Sequence, residues 1–152
     1  WALRIVLLTL LLSPVRRALK WIQLVQLRRM MGLFSFYYAS LHFLCYLWFE
    51  QSFSLSAMLN DALERPFIAI GTLAFLLLTP MAVTSTRKKM RQMGKRWKLL
   101  HMLVYPAVIF GVIHFWWLVK ADTTEPLIYA LCATLLFTER LWRLKKGKVS
   151  GA

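Results

Sequence analysis

The chain has 152 residues, of which 59% are hydrophobic and 17% charged, yet its net charge is +14 from 20 Lys and Arg against 6 Asp and Glu. Soluble domains are roughly 45–50% apolar, so this much Leu, Phe and Trp argues against a soluble nucleic-acid binder and rules out a polar, disordered basic tail. What remains is a helical membrane protein whose cations are gathered in particular segments.

The chain opens at Trp1 directly into an apolar run. It shows neither the basic n-region nor the small-residue cleavage site of a signal peptide, and the reading is of a chain whose natural N-terminus is missing. A membrane helix needs about 20 mostly apolar residues. Five candidates appear, at 1–15 (truncated), 30–49, 66–83, 99–119 and 127–142 (short). Pro66 suits the first turn of the third, and Pro106 inside the fourth predicts a kink or local rewinding. Between the second and third, Leu55, Met58, Leu59, Ala62 and Leu63 recur at helical spacing. They predict a short amphipathic helix over 54–65, capped by Ser54 or Ser56 and lying on the outer surface as a lid over the span ends or a dock for a partner. Cys45 and Cys132 sit in apolar runs and form neither a metal-type spacing nor a disulfide framework. The fold expected is an all-α transmembrane bundle forming one domain over 1–152.

The cations fix an orientation. Arg16, Arg17, Lys20, Arg28 and Arg29 fall between the first two spans, and Arg87, Lys88, Lys89, Arg91, Lys95, Arg96 and Lys98 fall before the fourth. Arg140, Arg143, Lys145, Lys146 and Lys148 close the chain. The opposite side carries Arg65 and Lys120 with Glu50, Asp61, Glu64, Asp122 and Glu125. The positive-inside rule puts the basic segments and the C-terminus in the cytoplasm. The run from Arg87 to Lys98 would also attract an anionic partner, although topology and acidic lipid are the more economical account. Arg4, near the outer end of the first span, reads as snorkelling or as a partner for a haem propionate.

All three histidines fall in spans, where an ionisable side chain is costly and marks a candidate site. At 1.5 Å per residue, His42 lies about 20 Å and His114 about 24 Å from the cytoplasmic ends of their helices, and His101 only about 5 Å. His42 and His114 are thus expected to meet in the outer half. Two facing imidazoles suit the axial positions of a haem iron. Plain hydrogen bonding between helices is the competing account. Zinc fits poorly, because three histidines from two depths cannot converge on one ion. Gly32, Ser35, Ala39, His42 and Tyr46 share a stripe that could bed a flat macrocycle or serve ordinary helix packing. His101 and His114 lie about 140° apart on an ideal helix, so they share a face only if the helix is irregular. Trp97 reads as an interfacial anchor more readily than as a redox relay, and Trp116 and Trp117 read the same way at the outer boundary.

The string RRMMGLFSFYYASLHFLCY around His42, TSTRKKMRQMGKRWKLLHMLVY around His101 and VIHFWW around His114 resemble the MsrQ family. These are the haem-binding membrane subunits of the bacterial protein-methionine-sulfoxide reductase system. The opening WALRIVLLTLLLSP and the RPF at 65–67 also fit, and the resemblance covers essentially the whole chain. It implies a ferric-reductase-like fold of six spans, of which five are present and the first is missing. It implies b-type haem held by His42, His114 and His101. One haem between His42 and His114 is the base count, and a second at His101 would lack a histidine partner, because Arg28 stands at the matching depth. Met30, Met93 and Met102 read as packing. The resemblance further implies the bacterial inner membrane, FMN as a second cofactor, and electrons from the quinone pool or a cytoplasmic flavin reductase. These would pass to a periplasmic molybdenum-containing methionine-sulfoxide reductase subunit, to repair oxidised periplasmic proteins. A ferric-reductase-like or quinone-linked cytochrome with another acceptor, and a non-redox scaffold or transporter, are the alternatives. No Gly-rich nucleotide fingerprint is present.

Overall fold

The computed structural model describes residues 1–21, 23–119 and 122–149; Lys120, assigned above to the outer side, lies outside them. Eight helices follow in order: α1 (Ala2–Leu19), α2 (Leu24–Phe49), α3 (Leu55–Glu64), α4 (Pro66–Val83), α5 (Arg87–Met93), α6 (Lys95–Leu100), α7 (Val104–Leu118) and α8 (Thr124–Val149). A single 3₁₀ turn, His101–Leu103, joins α6 to α7. The described residues contain no strand, so the all-α expectation holds.

Three segments are long and apolar enough to cross a membrane: Gln26–Phe49, Pro66–Val83 and Lys95–Leu118. The other two expected spans, in α1 and α8, are helical but more charged. Arg4, Arg16 and Arg17 lie within α1, and Glu125, Glu139, Arg140 and Arg143 within α8. Helices also outrun the apolar stretches. α1 continues to Leu19, α2 begins at Leu24 so that Arg28 and Arg29 are helical, and α8 extends to Val149. Hydropathy marks where lipid would end, whereas Arg and Lys are good helix formers and let the hydrogen-bonded ladder run on.

The packed core lies between α1, α7 and α8, where Val6, Leu7, Leu10, Val108 and Ala133 are buried against one another. On the other side of the bundle Phe75 of α4 stacks on Phe36 and Phe43 of α2, with ring centroids 5.6 and 4.8 Å apart. Leu73, Leu76, Ile109, Ile113, Leu131 and Leu135 point outward and are exposed, as expected of faces that meet lipid. The small-residue stripe of α2 packs against α1. Buried Ser35 donates its Oγ hydrogen to the Ala2 carbonyl at 2.9 Å, and Gly32 faces Thr9. At these two positions the stripe serves close helix approach and offers no bed for a macrocycle.

Two polar clasps join α1 to α8. At one end Arg4 bonds the Tyr129 hydroxyl and both carboxylate oxygens of Glu125 at 3.1 Å. Its side chain is thus engaged within the protein. At the other end Arg17 meets Glu139 at 2.6 Å, and Arg143 shares that carboxylate.

The amphipathic helix forms as expected, with Ser54 accepting from the Ala57 amide. Its inward face is set by a carboxylate. Asp61 is buried and accepts from the Tyr46 hydroxyl and the Gln51 amide, both at 2.8 Å, and from Arg65. Leu55, Leu59 and Leu63 therefore form a stripe directed away from the bundle. Between α5 and α6 the chain turns at Gly94, whose φ of 51° and ψ of −119° suit a residue without Cβ.

The fourth span is locally rewound into a 3₁₀ turn at His101–Leu103, one turn before Pro106. Proline lacks the amide that would bond the carbonyl four residues earlier, and its ring crowds that carbonyl. In this chain that carbonyl belongs to Met102, inside the 3₁₀ turn.

Candidate metal centre

α2 and α7 are both held against α4, and they bring His42 and His114 face to face. The ring centroids are 6.2 Å apart, with planes inclined at 71°. Imidazole nitrogens bind a transition metal at about 2 Å, so two rings on opposite sides of one ion have centroids about 6 Å apart. The inclination is no obstacle, because two planes can share the nitrogen–metal–nitrogen axis at any angle between them.

His114 is oriented by α4. Its Nδ1 lies 2.7 Å from the Phe67 carbonyl oxygen. A carbonyl can only accept, so Nδ1 carries the proton and donates, leaving the Nε2 lone pair free. Histidines that bind metals commonly hold their second nitrogen in this way. The ring also lies directly against Gly71, where a Cβ would fall 2.6 Å from Nδ1 and 2.7 Å from Cε1. Gly71 is absent from the sequence reading, and Phe67 enters it only within the RPF string. The signal for Gly71 was present: it is the sole glycine of α4, about 7.5 Å from the start of that helix, while His114 is about 6 Å from the end of α7. The sequence does not say that α4 and α7 are neighbours.

His101 stands apart from the pair, at the basic end of the bundle. Its Nδ1 is 3.0 Å from the Trp97 carbonyl, and its ring stacks on the Trp97 indole with centroids 3.7 Å apart. Trp97 in turn donates from Nε1 to the Thr84 carbonyl at 3.1 Å. The indole thus ties α6 to the end of α4 and supports His101, a fuller role than interfacial anchoring.

Among the described residues no three His, Cys, Asp or Glu side chains gather as a metal site. The donor set is therefore two imidazoles. Such a set leaves most of an ion's coordination to the incoming group, and a macrocycle that brings its own equatorial nitrogens fits it.

The family described as ferric reductase like transmembrane component matches residues 1–112. The protein-methionine-sulfoxide reductase heme-binding subunit MsrQ of Herminiimonas arsenicoxydans is 42% identical over 156 aligned positions, covering 100% of this chain and 72% of that protein. The chain belongs to the MsrQ family. The MsrQ of Xanthomonas campestris pv. campestris (strain B100) is 43% identical over 143 positions, 94% of this chain and 66% of that protein. The MsrQ of Xanthomonas oryzae pv. oryzae (strain MAFF 311018) is 41% identical with the same coverage. The chain thus spans about two thirds of the length of these Xanthomonas relatives. No solved structure matches the chain. The membrane-protein reading and the ferric-reductase-like fold both stand.

Proposed function

We propose that this chain is a b-type haem membrane subunit that passes electrons to a methionine-sulfoxide reductase catalytic subunit. The observation that carries this reading is the pair His42 and His114, facing at 6.2 Å with the Nδ1 of His114 committed to a backbone carbonyl. In this reading His42 and His114 would each offer one ring nitrogen to the haem iron. Haem iron, when bound, supplies one-electron transfer between its ferric and ferrous states. α2, α4 and α7 fix the level at which the ligands sit.

The basic end faces the cytoplasm of a bacterial inner membrane. There the exposed cations from Arg87 to Lys98 flank His101 and Trp97 and would receive an anionic donor, a cytoplasmic flavin reductase, or pass its place to quinone. The acceptor at the opposite end is a periplasmic molybdenum-containing subunit that reduces oxidised methionine in proteins. His101 is the residue that would hold a second haem. FMN comes with the family resemblance, and no residue of this chain is assigned to it.

A reduced-minus-oxidised spectrum of the purified protein, with haem stoichiometry, tests the reading. His42→Ala and His114→Ala should each abolish the outer low-spin haem, and His101→Ala should leave that haem in place. A parent without a b-type band overturns the proposal. Loss of all haem in His101→Ala alone, with His114→Ala unaffected, overturns the pairing. A cytochrome with another acceptor shares this centre. Deletion separates the two, because only a methionine-sulfoxide subunit is needed for periplasmic methionine repair.

A further inference from the structure

The atoms that a Cβ at position 71 would meet are consecutive on one edge of the His114 ring: Cγ at 3.2 Å, Nδ1 at 2.6 Å and Cε1 at 2.7 Å. That edge lies against α4, and the far edge, with Nε2 and Cδ2, is turned away from it. Side chains on an α-helix lean toward its N-terminus, so a side chain at position 71 would hang over the carbonyl one turn earlier. That carbonyl belongs to Phe67, the partner of His114 Nδ1 at 2.7 Å. The missing side chain thus does two things at once. It makes room for the ring and uncovers the oxygen that the ring must reach.

We infer that Gly71 is a positioning residue for His114, holding the imidazole as its Nδ1–H tautomer with Nε2 presented to the metal. The inference rests on the haem reading given above. Ordinary contacts between an alanine methyl and its neighbours do not fall below 3 Å, so a methyl here forces a movement. The cheapest movement is rotation of the His114 side chain, which breaks the bond to Phe67 and misdirects Nε2. Gly32 is the natural comparison, because it also lies in an apolar helix at a helix contact. A Cβ there would meet only the Thr9 methyl, at 3.9 Å.

The test uses the full chain purified in detergent, with Gly71→Ala and Gly32→Ala as matched variants. Loss of a partner that orients a metal ligand lowers metal affinity roughly 10- to 100-fold. Gly71→Ala should lower haem affinity by that factor. It should also raise the midpoint potential of the haem that remains, because an imidazole without its carbonyl partner donates less electron density. Gly32→Ala should change neither. Thermal unfolding of the haem-free protein supplies a second readout. Gly71→Ala should lower the unfolding temperature of the parent but not that of His114→Ala, because the collision is with the ring. If Gly71→Ala does not fold, combining it with His114→Ala should restore folding; failure of the double variant places the collision elsewhere and overturns the inference. Unchanged haem affinity and potential in Gly71→Ala, beside loss of haem in His114→Ala, overturns the inference and leaves the haem reading intact. Full haem retention in His114→Ala removes the ligand and the inference together.

Discussion

Asp61 is the side chain on which α3 turns, and its removal has a calculable effect. The residue is 8% exposed and accepts from three donors on two other segments and on its own helix end. In Asp61→Ala the Tyr46 hydroxyl and the Gln51 amide both lose their acceptor. Gln51 is itself buried at 6% exposure, and an unsatisfied buried donor costs about 1–3 kcal/mol. Tyr46 is half-buried and carries a smaller penalty. Arg65 has a side chain 47% exposed and turns to water or to Glu50, 3.8 Å away, at little cost. The total is about 3 kcal/mol, most of it holding α3 to the ends of α2 and α4. Because every 1.4 kcal/mol is about tenfold in an equilibrium, amide hydrogen exchange over Leu55–Glu64 should accelerate by roughly 100-fold. Asp61→Asn keeps an acceptor oxygen and should accelerate exchange by no more than about 10-fold. The measurement is exchange in detergent micelles, read segment by segment against Pro66–Val83 as an internal standard. Exchange over α3 within about twofold of the parent in Asp61→Ala would refute the claim that this carboxylate is the latch.

Glu139→Gln should weaken the α1–α8 contact by about 1–2 kcal/mol, because Arg17 and Arg143 lose their shared carboxylate; a double-mutant cycle with Arg17→Ala, read by thermal unfolding, should show a coupling of at least about 0.5 kcal/mol. Gly94→Ala should strain the α5–α6 turn by about 1–3 kcal/mol, since φ is +51° there. Limited proteolysis should then cut preferentially near residues 93–95, while cleavage elsewhere stays unchanged.

The span 66–83 was legible to the residue because Pro66 starts a helix and the polar run after Val83 ends one. The meeting of His42 and His114 followed from counting rise along antiparallel helices, a calculation that needs only the basic ends as a common datum. A kink or local rewinding was expected from Pro106, and rewinding is found at 101–103, because proline acts on the carbonyl four residues earlier. The leucine periodicity of α3 announced a helix but not its rotation. That was decided by donors from Tyr46 and Gln51 converging on Asp61, and hydropathy scores such a carboxylate as simply polar. Arg4 could not be read at all, since its partners Tyr129 and Glu125 lie more than a hundred residues away. Gly71 and the Phe67 carbonyl were hidden for the same reason, being meaningful only once α4 is known to face α7.

The clasps between α1 and α8 bear on the order of events during synthesis. The two helices too charged to count as spans by composition alone neutralise each other, Arg4 with Glu125 and Arg17 with Glu139. α1 leaves the ribosome before α8. Until α8 arrives, Arg4 and Arg17 must find water, lipid phosphate or a temporary protein partner. The contact between α1 and α8 therefore closes late, and a chain stopped before Thr124 would leave α1 with Arg4 and Arg17 both unanswered.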